Sequence, residues 1–194
     1  MKDLQTVFKE QEEYAISHKV PIMENVEELC NSVCLKQPKN ILEIGTAIGY
    51  SGLKMLSNCG GTLTTIELDE ERQNTAKAYA GEVGFASRIT FLLGDACEII
   101  RYLDGKYDFI FLDGPKGHYA EMLPYIKNLL CENGVLFADD ISFKGKTAGD
   151  DYPAHKHRTI VNSLRTFVKE LQNDKEYNVE IKDVGDGILI ARKK

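Results

Sequence analysis

The sequence predicts an α/β protein with a mostly parallel sheet, helices on both faces and an antiparallel hairpin at the sheet edge. Two observations carry this reading. From residue 40 five short apolar runs, NILEI, TLTTIE, RITFLL, YDFIFLD and GVLFAD, alternate with helical stretches, and strands joined through helices must run parallel. The rhythm then breaks: YNVEIKDV and ILIARK are separated only by Gly185-Asp186-Gly187, a turn short enough to force an antiparallel pair.

Each element has its own signal. Leu4, Val7, Phe8, Tyr14 and Ala15 fall at the three-and-four spacing of an amphipathic helix, as do Val26, Leu29, Cys30, Val33 and Cys34, with Pro21 between the two stretches. The apolar runs read as buried strands, and the segments 50–58, 69–83, 96–103 and 117–131 read as the helices between them. Asp69 supplies a start signal and Gly84 a stop for the second of these. The stretch 142–156, SFKGKTAGDDYPAHK, reads as a surface loop beside the strand ends.

The 194 residues carry a formal charge of −6, with 43% hydrophobic and 28% charged positions, as in one ordinary globular domain. At this size folding buries roughly 70% of the surface of the extended chain, so a core forms without disulfides. The expectation is a single domain over 1–194, with N-terminal helices in 1–36 and an α/β core over 40–194. No run approaches the ~20 apolar residues of a membrane helix, and the charged start MKDLQTVFKEQEEY lacks an apolar signal core. A cytoplasmic protein with no membrane partner is expected. The acidic balance disfavours nonspecific attraction to nucleic acid, although net charge says nothing of local patches. Cysteines 30, 34, 59, 97 and 131 form no CxxC site, and none has a histidine at ligand spacing in the sequence. Cys30 and Cys34, one helical turn apart, read as reduced core thiols.

The segment ILEIGTAIGYSG places glycines 45, 49 and 52 after a strand and before a helix, where a ligand can approach the backbone and free N–H groups. A dinucleotide fingerprint requires glycine at 47 and 50, where this chain has Ala47 and Tyr50, so the nicotinamide reading is weakened. Glu67, at the end of the next strand, is placed to accept both hydroxyls of a ribose. Asp95, after the third strand, either caps the following helix or accepts an adenine amino group. Asp113, Asp139 and Asp140 fall at the C-terminal ends of the fourth and fifth strands, the edge where open α/β sheets bind ligands. Three carboxylates there repel one another unless a cation holds them, and hard oxygen donors suit Mg²⁺, Mn²⁺ or Ca²⁺. Each aspartate alone could equally cap a helix. Lys116 is within reach and could act as a base, were its pKa lowered by the cation and partial burial.

On these residues the chain resembles the class I S-adenosylmethionine-dependent methyltransferases, and among them the cation-dependent catechol and caffeoyl-CoA type of O-methyltransferase. The resemblance runs from VPIM through ILEIGTAIGYS, FLDGPKGHY and FADD to VGDGILIARK. Within that type the chain looks most like bacterial tRNA 5-hydroxyuridine methyltransferases, through PIM, the Asp113-to-Tyr119 segment and His155-Lys156-His157-Arg158-Thr159-Ile160-Val161. The resemblance implies a Rossmann-like fold with a seven-stranded sheet and a homodimer. It implies that Met23, Gly45, Ser51, Glu67, Asp95, Ala96 and Asp113 line the S-adenosylmethionine pocket. It also implies that Asp113, Asp139 and Asp140 hold the metal and that Lys116 accepts the proton. One departure stands out: the family usually has Asp-Asn where this chain has Asp139-Asp140, so the ligand set carries one more negative charge.

Two substrate classes present the adjacent oxygens such a cation would chelate: 5-hydroxyuridine in tRNA, and small ortho-dihydroxy aromatics. Lys144, Lys146, Lys156 and Arg158, offset by Asp150 and Asp151 and supplemented by His155 and His157, give a modest basic patch. Tyr119 and Phe143 either stack on a flat substrate ring or pack in the core. Outside this class stand a nicotinamide-dependent oxidoreductase and a noncatalytic nucleoside-binding module.

Overall fold

The structure, a computed structural model, describes residues 1–147 and 155–194. The centre of the expected 142–156 loop, with Asp150 and Asp151, lies outside the described residues. The chain divides into two compact units, Met1–Ala96 and Cys97–Lys194.

The first unit contains α1 (Leu4–His18), α2 (Val26–Lys36), β1 (Asn40–Ile44), α3 (Tyr50–Ser57), β2 (Thr62–Glu67), α4 (Glu70–Glu82) and β3 (Ile89–Leu93). Both N-terminal helices form where the apolar spacing placed them. Asp3 caps α1 by accepting the Thr6 N–H at 3.0 Å, and Asp69 caps α4 by accepting the N–H groups of Glu71 and Arg72. Strands β1, β2 and β3 pair in parallel. Val7 and Phe8 of α1, Val26 of α2, Tyr50 and Leu53 of α3, and Ala80 and Val83 share one buried cluster. Burial of side chains of this size contributes on the order of 1.5–3 kcal/mol each.

The second unit follows α5 (Ala96–Tyr102) with β4 (Tyr107–Leu112), a 3₁₀ turn (Lys116–His118), α6 (Tyr119–Leu129), β5 (Leu130–Ala138), α7 (Arg158–Asn173), β6 (Tyr177–Lys182) and β7 (Ile188–Lys193). Strands β4 and β5 are parallel, whereas β7 runs antiparallel to both β5 and β6. The C-terminal hairpin therefore forms as the Gly185-Asp186-Gly187 turn requires. Phe109, Phe111, Phe137 and Phe167 are fully buried and form the aromatic centre of this unit with Tyr119.

The strand order is β3-β2-β1-β4-β5-β7-β6, a seven-stranded, mostly parallel sheet. Most boundaries fall within a residue or two of the sequence reading, and two differ for a structural reason. The helix expected over 117–131 starts at Tyr119, because Lys116–His118 winds as a 3₁₀ turn. Strand β5 begins at Leu130 instead of Gly134, and its register with β4 shifts between Tyr107 and Phe109. The first half of β5 contains exposed Glu132 and Asn133, the latter at φ +58°, so no apolar run announces it. No described helix is long and apolar enough to cross a membrane. All five cysteines are free thiols; Cys34 is exposed, contrary to its reading as a core residue, because it falls on the solvent side of α2, while Cys97 is buried.

Candidate active site

In the first unit the chain leaves β1 through a turn that only unusual backbone can make. Gly45 at φ +102°, Ala47 at φ +45° and Gly49 at φ +80° all lie in the left-handed region, and Gly49 forms the N-cap of α3. A Cβ on Gly49 would lie 3.0 Å from the Cβ of Ala76, so close packing against α4 also demands glycine there.

Glu67, at the end of β2, is nearly buried and anchors this turn. Its Oε2 accepts the Ala47 N–H at 2.7 Å, and its Oε1 accepts the N–H groups of Leu68 and Asp69, both at 3.0 Å. Its carboxylate thus holds the strained turn and keeps lone-pair capacity for a ribose. Replacing Glu67 with Gln puts an amide N–H₂ against one set of these backbone donors and leaves at least one N–H unpaired, which costs about 1–3 kcal/mol. The expected result for Glu67→Gln is a fall in melting temperature together with at least about tenfold weaker S-adenosylmethionine binding by calorimetry. Unchanged values for both would show that Glu67 neither braces the turn nor meets the cofactor.

Sequence reasoning missed the partner of Ser51. Its hydroxyl donates to Glu43 Oε1 at 2.6 Å, and Thr65 Oγ1 donates to Glu43 Oε2 at 2.6 Å. Glu43 is fully buried in β1 and ties α3 to β2. The signal was a lone carboxylate inside an otherwise apolar strand, since a charge buried on a central strand must be paired. Met23 is buried, Asp95 is exposed, and Ala96 opens α5.

In the second unit the parallel ends of β4 and β5 bring Asp113, Asp139 and Asp140 to the same edge. Tyr119 braces this edge from below: its buried hydroxyl lies 3.1 Å from the Leu112 carbonyl and 3.4 Å from that of Asp139. Tyr119 packs edge-on against Phe167 and cannot stack on a substrate ring. Lys116 Nζ sits 3.1 Å from Asp113 Oδ1 and 3.0 Å from Asp140 Oδ2. Asp139 is 8% exposed, and its Oδ1 accepts the Asp140 N–H at 2.9 Å.

The electrostatics follow from burial. Loss of solvation, with the charges of Asp113 and Asp140, pushes the Asp139 carboxyl up to about 7. Burial also raises Asp113, against the opposing pull of Lys116. Burial pulls Lys116 down, but Asp113 and Asp140 outweigh it and hold its ammonium above the ordinary range. With two carboxylates sharing it, Lys116 is held as a cation; the lowered pKa expected of it from the sequence is tied to a bound cation that would take those carboxylates over.

The donors fit a hard divalent ion. The Lys116 ammonium already stands in for one, held by two of the three carboxylates, and the third, Asp139, is buried beside them and holds its proton more tightly than an ordinary carboxyl. Among the described residues the three aspartates do not bring one oxygen each within 4.8 Å of one another, the lysine lying between two of them.

The basic segment flanks this edge in sequence. Phe143 packs edge-on against His157 at 5.4 Å, with Lys146 over its ring at 5.2 Å. Lost solvation and the charges of Lys146, Lys156 and Lys144 lower the His157 pKa, so this histidine adds less positive charge than the sequence suggested.

The sheet order, the glycine turn after β1 and the carboxylate at the end of β2 define a class: an S-adenosylmethionine-dependent methyltransferase. The family model for O-methyltransferases matches residues 2–194, and the chain belongs to that family. A provisionally named O-methyltransferase of Mycobacterium sp. strain JLS is 31% identical over 161 residues, covering 81% of this chain and 71% of its own. A Staphylococcus aureus structure provisionally assigned as a caffeoyl-CoA O-methyltransferase is 26% identical, with TM-score 0.86 over 96% of this chain and 92% of its own. The O-methyltransferase TomG of Streptomyces achromogenes, solved with S-adenosylmethionine, shares the fold at TM-score 0.88 and 22% identity, over 100% of this chain and 91% of its own. Family membership sets aside the oxidoreductase and noncatalytic readings.

Proposed function

We propose that this O-methyltransferase is metal-dependent and methylates the 5-hydroxyl of 5-hydroxyuridine in tRNA. The observation that carries the metal is the Asp113–Lys116–Asp140 cluster with buried Asp139 beside it: two of the three carboxylates are already gathered round a positive charge. Asp113, Asp139 and Asp140 would hold Mg²⁺. When bound, the ion supplies charge neutralisation, chelation of two adjacent substrate oxygens and a lowered hydroxyl pKa.

The chain's own residues do the rest. Glu67 holds the ribose and the turn beneath it, with Asp95 and Ala96 at the adenine. Met23, Gly45 and Ser51 complete the pocket, fixing the sulfonium methyl for in-line displacement. Lys116, no longer claimed by Asp113 and Asp140, would first release its ammonium proton to solvent, and the free amine then takes the hydroxyl proton at Nζ. The oxygen then forms its bond to the methyl carbon as the carbon–sulfur bond breaks, giving the methyl ether and S-adenosylhomocysteine.

The basic residues Lys144, Lys146 and Lys156, following β5 and preceding α7, support a polyanionic substrate. The provisional caffeoyl-CoA assignment of the Staphylococcus aureus relative favours a second reading, a small catechol-like acceptor. Labelled methyl transfer to hydroxyuridine-containing tRNA and to a simple catechol, run in parallel with Mg²⁺, separates them. Labelled tRNA with activity falling steeply as salt rises is expected; labelling of catechol alone replaces the tRNA reading with the second. Excess chelator is expected to abolish transfer while leaving S-adenosylmethionine binding intact, and full turnover in chelator would remove the metal. The homodimer belongs to this proposal as well, and light scattering of the purified chain tests it.

A further inference from the structure

A trio outside the carboxylate edge has the composition of a second metal centre. Cys97 lies in the first turn of α5, His118 ends the 3₁₀ turn and Glu121 lies in the first turn of α6. One ligand atom from each lies within 4.8 Å of the others, and among the described residues no other histidine, cysteine or acidic group meets that condition. We propose that Cys97, His118 and Glu121 bind a borderline-soft divalent cation, Zn²⁺, at a site separate from the Mg²⁺ carboxylates.

The donor chemistry argues for zinc over magnesium. Thiolate sulfur, imidazole nitrogen and one carboxylate oxygen are a ligand set that Zn²⁺ accepts in tetrahedral geometry and Mg²⁺ does not. With a neutral imidazole, the thiolate and carboxylate cancel the dication's charge; the Cys97 thiol proton passes to solvent as the metal binds. The fourth position falls to water, since the His118 and Glu121 side chains are 51% and 46% exposed. Cys97, by contrast, is buried at 8% exposure, so the sulfur forms the floor of the site and the other two its rim.

The surroundings orient the ligands. His118 Nδ1 lies 2.9 Å from Glu121 Oε2, so these two already face one another. Arg101 Nη2 donates to the other carboxylate oxygen, Oε1, at 2.8 Å, which fixes Glu121 with Oε2 turned toward His118, the side on which a metal would replace their mutual contact. Metal–ligand bonds of about 2.0–2.3 Å put tetrahedral ligand atoms about 3.3–3.7 Å apart, so closure asks for a movement of at most about 1.5 Å by two exposed side chains. Occupancy would pin the 3₁₀ turn that carries Lys116 to both α5 and α6.

The test uses the full chain, stripped of metal and titrated with Zn²⁺ against a chromophoric chelator in excess Mg²⁺. One Zn²⁺ per chain is expected, unaffected by Asp139→Asn and weakened at least about tenfold by His118→Ala and by Cys97→Ala. Co²⁺ in place of Zn²⁺ is expected to show a thiolate-to-cobalt charge-transfer band that Cys97→Ala removes. His118 is on the surface, so His118→Ala folds even where Cys97→Ala does not, and circular dichroism checks both. Zinc binding unchanged in His118→Ala, no stoichiometric zinc at all, or a charge-transfer band that survives in folded Cys97→Ala overturns the site.

Discussion

Asp139→Asn is expected to stabilise the metal-free protein at pH 8 while reducing methyl transfer by about 100-fold or more. The sign comes from burial. The Asp139 carboxyl titrates near 7 in the fold against an ordinary value of 3.8, so the folded state holds its proton more tightly than the unfolded chain. The stabilisation from that proton is complete below about pH 4 and is lost as the pH rises from there through about 7. Every tenfold difference in proton affinity between the two states is worth about 1.4 kcal/mol, which gives a ceiling of about 4 kcal/mol; because Asp113 and Asp140 share the strain, about 2–4 kcal/mol is expected. Asparagine is neutral at every pH and its carbonyl still accepts the Asp140 N–H. Thermal melts in chelator are therefore expected to show the variant about 5–10 °C above the parent at pH 8 and level with it at pH 4. Equal melting temperatures at pH 8 would refute the buried-charge account of Asp139. The same tightly held proton makes Mg²⁺ binding strengthen as the pH rises through about 7, because the carboxylate must lose it to ligate.

Such a trade of stability for function explains which parts of this protein were legible in its sequence. Strands bounded by polar residues or glycine were readable to the residue: NILEI became β1 and ILIARK became β7. Asp69 marked the start of α4 because a capping side chain is a local signal. The opening of β5 was not readable, since Asn133 at φ +58° and its polar neighbours pair by geometry and not by hydrophobicity. The candidate site divides in the same way. Glycine turns and strand-end aspartates are local patterns, and both stand where the sequence placed them. The charge state of Lys116 and Asp139 depends on groups brought together by β4 and β5, and no spacing rule encodes it. Cys97 had no histidine nearby in sequence, yet the fold carries His118 and Glu121 to it from another helix start. Glu43 lay hidden inside an apparently apolar strand because its partners, Ser51 and Thr65, lie on two other elements.

Lys116→Met is expected to separate two roles that one ammonium plays. Lys116 neutralises Asp113 and Asp140 from 3.1 and 3.0 Å, so it competes for the charge a metal needs. Methionine keeps much of the length of the side chain and removes the cation. The three carboxylates are then left with their mutual repulsion, and Mg²⁺ is expected to bind about tenfold more tightly, a gain of about 1.4 kcal/mol. The metal-free fold is expected to lose about 1–2 kcal/mol, modest because the partners are partly open to water, and saturating Mg²⁺ is expected to restore it. Turnover moves the other way. If Lys116 takes the hydroxyl proton, its loss costs about 10²–10⁴-fold in kcat even though the metal site is better filled. Calorimetric titration with Mg²⁺ and a methyl-transfer assay at saturating metal read the two effects separately. Weaker Mg²⁺ binding with turnover preserved would show Lys116 to be a structural tether of the carboxylates and move the base elsewhere. Tighter Mg²⁺ binding with turnover lost is the outcome expected if Lys116, once the charge of Asp113 and Asp140 is neutralised, gives its ammonium proton to solvent and the free amine then accepts the hydroxyl proton.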